Sequence, residues 1–106
     1  MTKDHIIRGT TPAIVYTFEK ISVTDITSAY MTIQINGETV LEKDLSDATV
    51  STEAKTLTWQ LTQEETLSLD AQYIKHQCNW ITQSGLRGAS DEKTAYIDRN
   101  QKNEVI

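Results

Sequence analysis

The stretch Ser28-Ala29-Tyr30-Met31-Thr32-Ile33-Gln34-Ile35-Asn36-Gly37-Glu38-Thr39-Val40-Leu41-Glu42-Lys43-Asp44-Leu45 decides the fold. From Ser28 to Asn36 it alternates, with Ala29, Met31, Ile33 and Ile35 on one side and Tyr30, Thr32, Gln34 and Asn36 on the other, the period of a half-buried strand. Asn36-Gly37 then supplies two residues that accept the positive φ of a type I′ turn. Glu38 to Leu45 is therefore expected to pair back antiparallel.

The same period recurs on both sides. His5 to Arg8 reads as a short edge segment. After the turn signal Gly9-Thr10-Thr11-Pro12, Ala13 to Phe18 places Ile14, Tyr16 and Phe18 on one face. Thr56 to Leu61 turns Leu57, Trp59 and Leu61 inward. Thr62-Gln63-Glu64-Glu65 is a capping box, which predicts a helical turn to about Leu69 bridging two sheets. In Gln72 to Thr82 the set Ile74, His76, Cys78 and Trp80 is the better core face, and Tyr73, Lys75, Gln77 and Asn79 point the other way. Ser84-Gly85 turns the chain into a last strand at about Asp91 to Asp98, with Ala95 and Ile97 inward.

Composition agrees. Sixteen threonines, eleven isoleucines and five valines make 32 of 106 residues β-branched, a bias toward pleated, half-buried strands. A chain of this length forms one domain that can bury roughly two-thirds of its unfolded surface. One proline and four glycines argue against low-complexity structure, and no period of repeats runs along the chain. The expected fold is all-β: an immunoglobulin-like two-sheet antiparallel β-sandwich of seven strands over residues 1–106, with one short helical turn near 62–69 and a loose polar tail at about 99–106. A small barrel is the alternative.

Charge and cysteine usage bound the partners. Ten Lys and Arg against fifteen Asp and Glu leave a net charge of −5, which disfavours nucleic acid and acidic lipid. Cys78 has no second cysteine to pair with, the N-terminal residues lack the apolar core of a signal peptide, and no apolar run approaches the ~20 residues of a membrane span. A cytosolic origin is expected, with exit by lysis.

Few residues suggest chemistry. His76 and Cys78 share a face of one strand with Cβ atoms about 7 Å apart, a loose pair for a thiol enzyme and better read as a buried cysteine beside a core-edge histidine. His5 and His76 lie too far apart in sequence for a zinc motif. Asp44-Leu45-Ser46-Asp47 and Ser90-Asp91-Glu92 lack the spacing of a calcium loop, and Glu64-Glu65 suits the start of a helix. Trp59 and Trp80 have inward parity. No catalytic, cofactor-binding or metal-ligating residue is assigned, and no cofactor. Edge segments such as Glu38 to Leu45 can add a strand from a neighbour, or be blunted by Glu42, Lys43 and Asp44. Tyr30, Tyr73 and Tyr96 fall on outer faces, where their rings suit a glycan.

Ile6-Ile7-Arg8-Gly9-Thr10-Thr11-Pro12 followed by Ile14-Val15-Tyr16-Thr17-Phe18 resembles the opening of a family of small virion- and tail-associated proteins of tailed bacteriophages and prophages of Gram-positive gut bacteria. Three further segments match in order: Leu61-Thr62-Gln63-Glu64-Glu65-Thr66, then Thr82-Gln83-Ser84-Gly85 leading to Gly88-Ala89-Ser90-Asp91, and the closing Asn103-Glu104-Val105-Ile106. Two departures stand out. Glu19 to Val23 is more polar than the family's usual segment, and His76 and Trp80 occupy slots where aliphatic residues are usual, which implies a differently packed core. The resemblance implies a non-enzymatic structural or interaction protein of the virion, associated with tail, neck or baseplate, whose partners are other phage structural proteins and copies of itself. A module recognising a host-surface glycan is the alternative.

Overall fold

The computed structural model describes residues 4–102, 104 and 105. Its elements, in chain order, are β1 (Asp4–Ile7), β2 (Ala13–Thr17), β3 (Ile26–Ile35), β4 (Glu38–Asp44), β5 (Ala48–Ser51), β6 (Thr56–Gln60), α1 (Gln63–Leu67), β7 (Tyr73–Thr82), β8 (Arg87–Ala89) and β9 (Lys93–Asp98). Single 3₁₀ turns at Val23–Asp25 and Leu45–Asp47 lead into β3 and β5. The protein is mostly β, in two sheets. One runs β1-β9-β7-β3-β4 with β8 added to β7, and the other runs β2-β6-β5.

The core lies between the sheets and is built by alternation. The smaller sheet contributes Ile14, Tyr16, Leu57 and Trp59; the larger contributes Ala29, Met31, Ile33, Ile74, His76, Cys78 and Ala95; all are buried. Full burial of one large aliphatic side chain contributes roughly 1.5–3 kcal/mol, against about 1 kcal/mol net for a typical hydrogen bond. Apolar contact therefore supplies most of the cohesion between the sheets. Tyr16 packs edge-on against Trp59, with ring centroids 5.9 Å apart. The Trp59 indole also donates from Nε1 to Asp44 O at 2.8 Å, which fastens the end of β4 to the smaller sheet.

The hairpin forms as its turn residues dictate. Asn36 and Gly37 both have positive φ, and Ile35 pairs with Glu38 across them. The capping box is also present: the Thr62 hydroxyl accepts from Glu65 N and the Glu65 carboxylate from Thr62 N. Thr62 starts α1, which carries the chain from β6 in one sheet toward β7 in the other.

Four features differ from expectation. β5 and β8 are additional strands. β5 is short and its exposed Thr49 and Val50 give no alternating signal; β8 reads Arg-Gly-Ala and is a strand because it lies in register with Asn79 to Ile81 of β7. Gly88 sits so close to Trp80 that a Cβ there would lie 2.5 Å from the indole. The sheets are antiparallel except for β1, which runs parallel to β9 with Ile6 opposite Ile97. This pairing leaves β1 one strand's width from β7 and keeps the Ile6 side chain in the core. Trp80 is half-buried rather than central, its ring standing edge-on to Phe18 at 4.9 Å. The start of the polar tail is tied down, with Asn100 Nδ2 donating to Arg8 O at 2.8 Å. Asn103 and Ile106, the ends of the closing motif, lie outside the described residues.

Arg8-Gly9-Thr10 is knotted onto α1. Gly9 N donates to Thr66 Oγ1 at 3.0 Å, Thr66 Oγ1 donates to Thr10 O at 2.7 Å, and Gln63 Nε2 donates to Gly9 O at 3.2 Å. Arg8 Nη2 reaches Leu67 O at 2.5 Å, closing the last turn of the helix. Thr66 is fully buried, so Thr66→Val keeps the shape while removing the hydroxyl's contacts with Gly9 N, Thr10 O and Gln63 O and orphaning the Gly9 amide. It is expected to lower stability by about 1–3 kcal/mol, read from the urea midpoint at unchanged m-value; an unchanged midpoint would refute the knot.

Candidate functional site

A buried phenol and a buried imidazole meet between the sheets, where β2 faces β7. His76 on β7 faces Tyr16 on β2, and Tyr16 Oη lies 2.5 Å from His76 Nδ1 in a buried contact. Burial lowers the His76 pKa below its ordinary 6.5, helped by nearby Lys93 and opposed by Asp4. Burial first, and the neighbouring Cys78 second, raise the pKa of the Tyr16 phenol. Both groups are therefore neutral near pH 7, so the phenol donates and Nδ1 accepts, leaving the imidazole proton on Nε2. Lys93 Nζ lies 5.7 Å from the centroid of the Tyr16 ring.

His76 and Lys93 border a cleft of about 300 Å³ whose lining also includes Asp4, His5 and Pro12. The two histidines, 71 positions apart in the chain, line one cleft because β1 and β7 both flank β9. Among the described residues no group of three His, Cys, Asp or Glu side chains could hold a metal ion. Asp4 and Lys93 gave no signal in the sequence. Only the parallel placement of β1 beside β9 brings Asp4 opposite Ala95 and near His76.

Cys78 is fully buried next to this pair. Burial pushes its thiol up to about 12, so it stays protonated, and its Sγ donates weakly to the Asn79 carbonyl at 3.9 Å. Thiolate character is what makes a cysteine nucleophilic, and the one imidazole on its face is engaged by Tyr16. The acidic clusters have local roles. Asp44 caps the 3₁₀ turn by accepting from the Ser46 hydroxyl and amide, which hold its carboxyl below the usual range. Glu92 pairs with Lys75 at 3.4 Å.

The tyrosines of the outer faces divide into two groups, with Tyr30 and Tyr73 exposed and Tyr96 half-buried. Tyr73 and Tyr96 stand side by side on the outer face of the larger sheet, centroids 6.3 Å apart, and His5 adds a third ring 5.7 Å from Tyr96. Tyr30 lies opposite Asn79, six residues along β7 from Tyr73, or roughly 20 Å by strand rise. β4 is the edge of its sheet and Val40 is exposed there, but the register shifts at Val40 and Lys43 is bound to Glu65 at 3.0 Å. A bulge of this kind interrupts the ladder a neighbouring strand would extend.

The buried imidazole makes stability depend on pH. Its folded-state pKa lies below its unfolded value, so the unfolded chain takes up the proton first. The contribution of neutral His76 is complete above about pH 6.5 and is lost as pH falls below it. The thermal midpoint is expected to fall between pH 7 and 5.5 in the native chain and to change less over that interval in His76→Leu; identical slopes would contradict the assignment. In comparisons with known proteins, no family model, no curated protein and no solved structure matches this chain.

Proposed function

We propose that the chain is a non-enzymatic structural or interaction protein of a tailed-phage or prophage virion. It is a part associated with tail, neck or baseplate, made in the host bacterial cytoplasm, that works through contacts with other phage structural proteins and with copies of itself. The observation that carries this reading is that two segments resembling the phage family, Arg8-Gly9-Thr10 and Thr62 to Thr66, meet in space. They are bonded to one another by the Gly9, Thr66 and Gln63 contacts. A third, Thr82 to Gly85, closes the turn into β8 through Gly85 N to Thr82 O and Leu86 N to Thr82 Oγ1. Residues so used build a scaffold, and a scaffold is what a virion part contributes.

The immunoglobulin-like form of the sandwich belongs to the same proposal. The orders β2-β6-β5 and β9-β7-β3-β4 parallel the B-E-D and G-F-C-C′ strands of that fold. The two strands that carry the inter-sheet disulfide of antibody domains correspond here to β2 and β7, the strands joined by the Tyr16–His76 contact. A rigid two-sheet body with several free edges suits repeated symmetric contacts, in which modest interfaces gain from multiplicity.

Quantitative mass spectrometry of purified virions from an induced lysogen carrying this gene tests the reading. Peptides of this chain are expected at copy numbers comparable to other tail or neck proteins. Their absence from particles in which scarcer proteins are detected would overturn it.

A further inference from the structure

We propose that the outer face of the larger sheet carries a binding strip for a neutral saccharide, built on His5, Tyr96 and Tyr73. The three residues occupy β1, β9 and β7 in direct register, His5 opposite Tyr96 and Tyr96 opposite Tyr73. Their rings therefore form one row across the strands, about 10 Å from first to last by strand spacing, the length of a disaccharide. His5 is held in place by Asp98, whose carboxylate lies 3.1 Å from Nδ1. The outer ring of the row, Tyr73, is 42% exposed.

The row ends in a polar hollow of about 270 Å³ lined by Tyr73, Gln34, Asn36, Gly37, Lys75 and Glu92. That is just under the roughly 300 Å³ at which pockets for larger ligands begin, a size for one sugar ring. The lining combines amide donors and acceptors, a carboxylate and an ammonium around the edge of an aromatic ring. This is the chemistry a pyranose needs, because its C–H face lies on the ring while its hydroxyls both give and take hydrogen bonds. Charge settles the class of sugar. The lysine that lines the hollow is paired with Glu92 at 3.4 Å, the Asp98 carboxylate stands beside His5 at 3.1 Å, and the whole chain carries −5. A uronic or phosphorylated polymer would meet repulsion and find, among the described residues of the strip, no lysine or arginine without a carboxylate partner; a neutral one meets neither problem. The site is separate from the virion contacts proposed above and stands or falls independently of them.

The test is titration of the ¹⁵N-labelled chain with five neutral oligosaccharides, namely cello-, xylo-, manno-, malto- and chitohexaose, to about 10 mM, a range that detects binding free energies near −3 kcal/mol. At least one is expected to shift amides of β1, β7 and β9 around His5, Tyr73 and Tyr96 together with those of Gln34 and Asn36. Tyr73→Ala should weaken that binding roughly five- to tenfold, Tyr73→Phe should retain it, and Tyr30→Ala, on the same face but far away, should leave it unchanged. Gln34→Ala provides a second variant that spares the aromatic row and should also weaken binding. The proposal is overturned if none of the five sugars shifts the strip, or if binding persists undiminished in folded Tyr73→Ala or Gln34→Ala.

Discussion

The structure depends on the contact between the inner faces of its two sheets, centred on Tyr16, Trp59 and His76. Most of the attraction there is apolar, from Met31, Ile33, Leu57 and Ile74 and the ring faces. The Tyr16–His76 bond contributes differently. Leaving either polar group unpaired in the core would cost more than the bond itself gains. The pair thereby disfavours any packing of β2 on β7 that separates them, and selects one relative placement of the sheets from those that oily contact alone would permit.

That placement determines what the surface offers. Holding β2 against β7 leaves β1 free to cross from the smaller sheet's side to lie parallel along β9, by way of the Gly9 turn. The crossing has two results. It brings Arg8, Gly9 and Thr10 against α1, and it extends the outer aromatic row by one strand through His5. Inside, the same geometry keeps Cys78 protonated and His76 neutral, with each held by burial. The inner face thus acts as a clamp, and the aromatic row of His5, Tyr96 and Tyr73 stands outside.

Much of this was legible where local chemistry decides structure. Asn36-Gly37, the alternation of Ala29 to Ile35 and the Thr62–Glu65 capping box each specify their conformation within a few residues, and each is present as read. The inward parity of Ile14, Tyr16, Leu57 and Trp59 held for the same reason. What escaped depends on distant partners. Arg87-Gly88-Ala89 has no strand propensity of its own and is a strand only because Gly88 fits against Trp80. The parallel course of β1 is set by β9, about ninety residues later. Trp80 had the parity of a core residue, yet lies near the end of β7, where Phe18 covers only one side. At the cleft, neither Tyr16 as the partner of His76 nor the approach of Asp4 and Lys93 could be found without the sheet order. The aromatic row was half-visible: Tyr73 and Tyr96 were candidates, but their adjacency and the contribution of His5 are consequences of register.

The central claim, that a buried phenol–imidazole bond sets how the two sheets sit together, is tested most directly by a double-mutant cycle on Tyr16→Phe and His76→Leu followed by chemical denaturation. Removing the hydroxyl from the native chain is predicted to cost about 1–3 kcal/mol, because it leaves a buried imidazole nitrogen unpaired. In the His76→Leu background the same change should cost nothing or stabilise, since the hydroxyl there has already lost its acceptor. An equal loss in both backgrounds would show that the two side chains are merely neighbours, and would contradict the account.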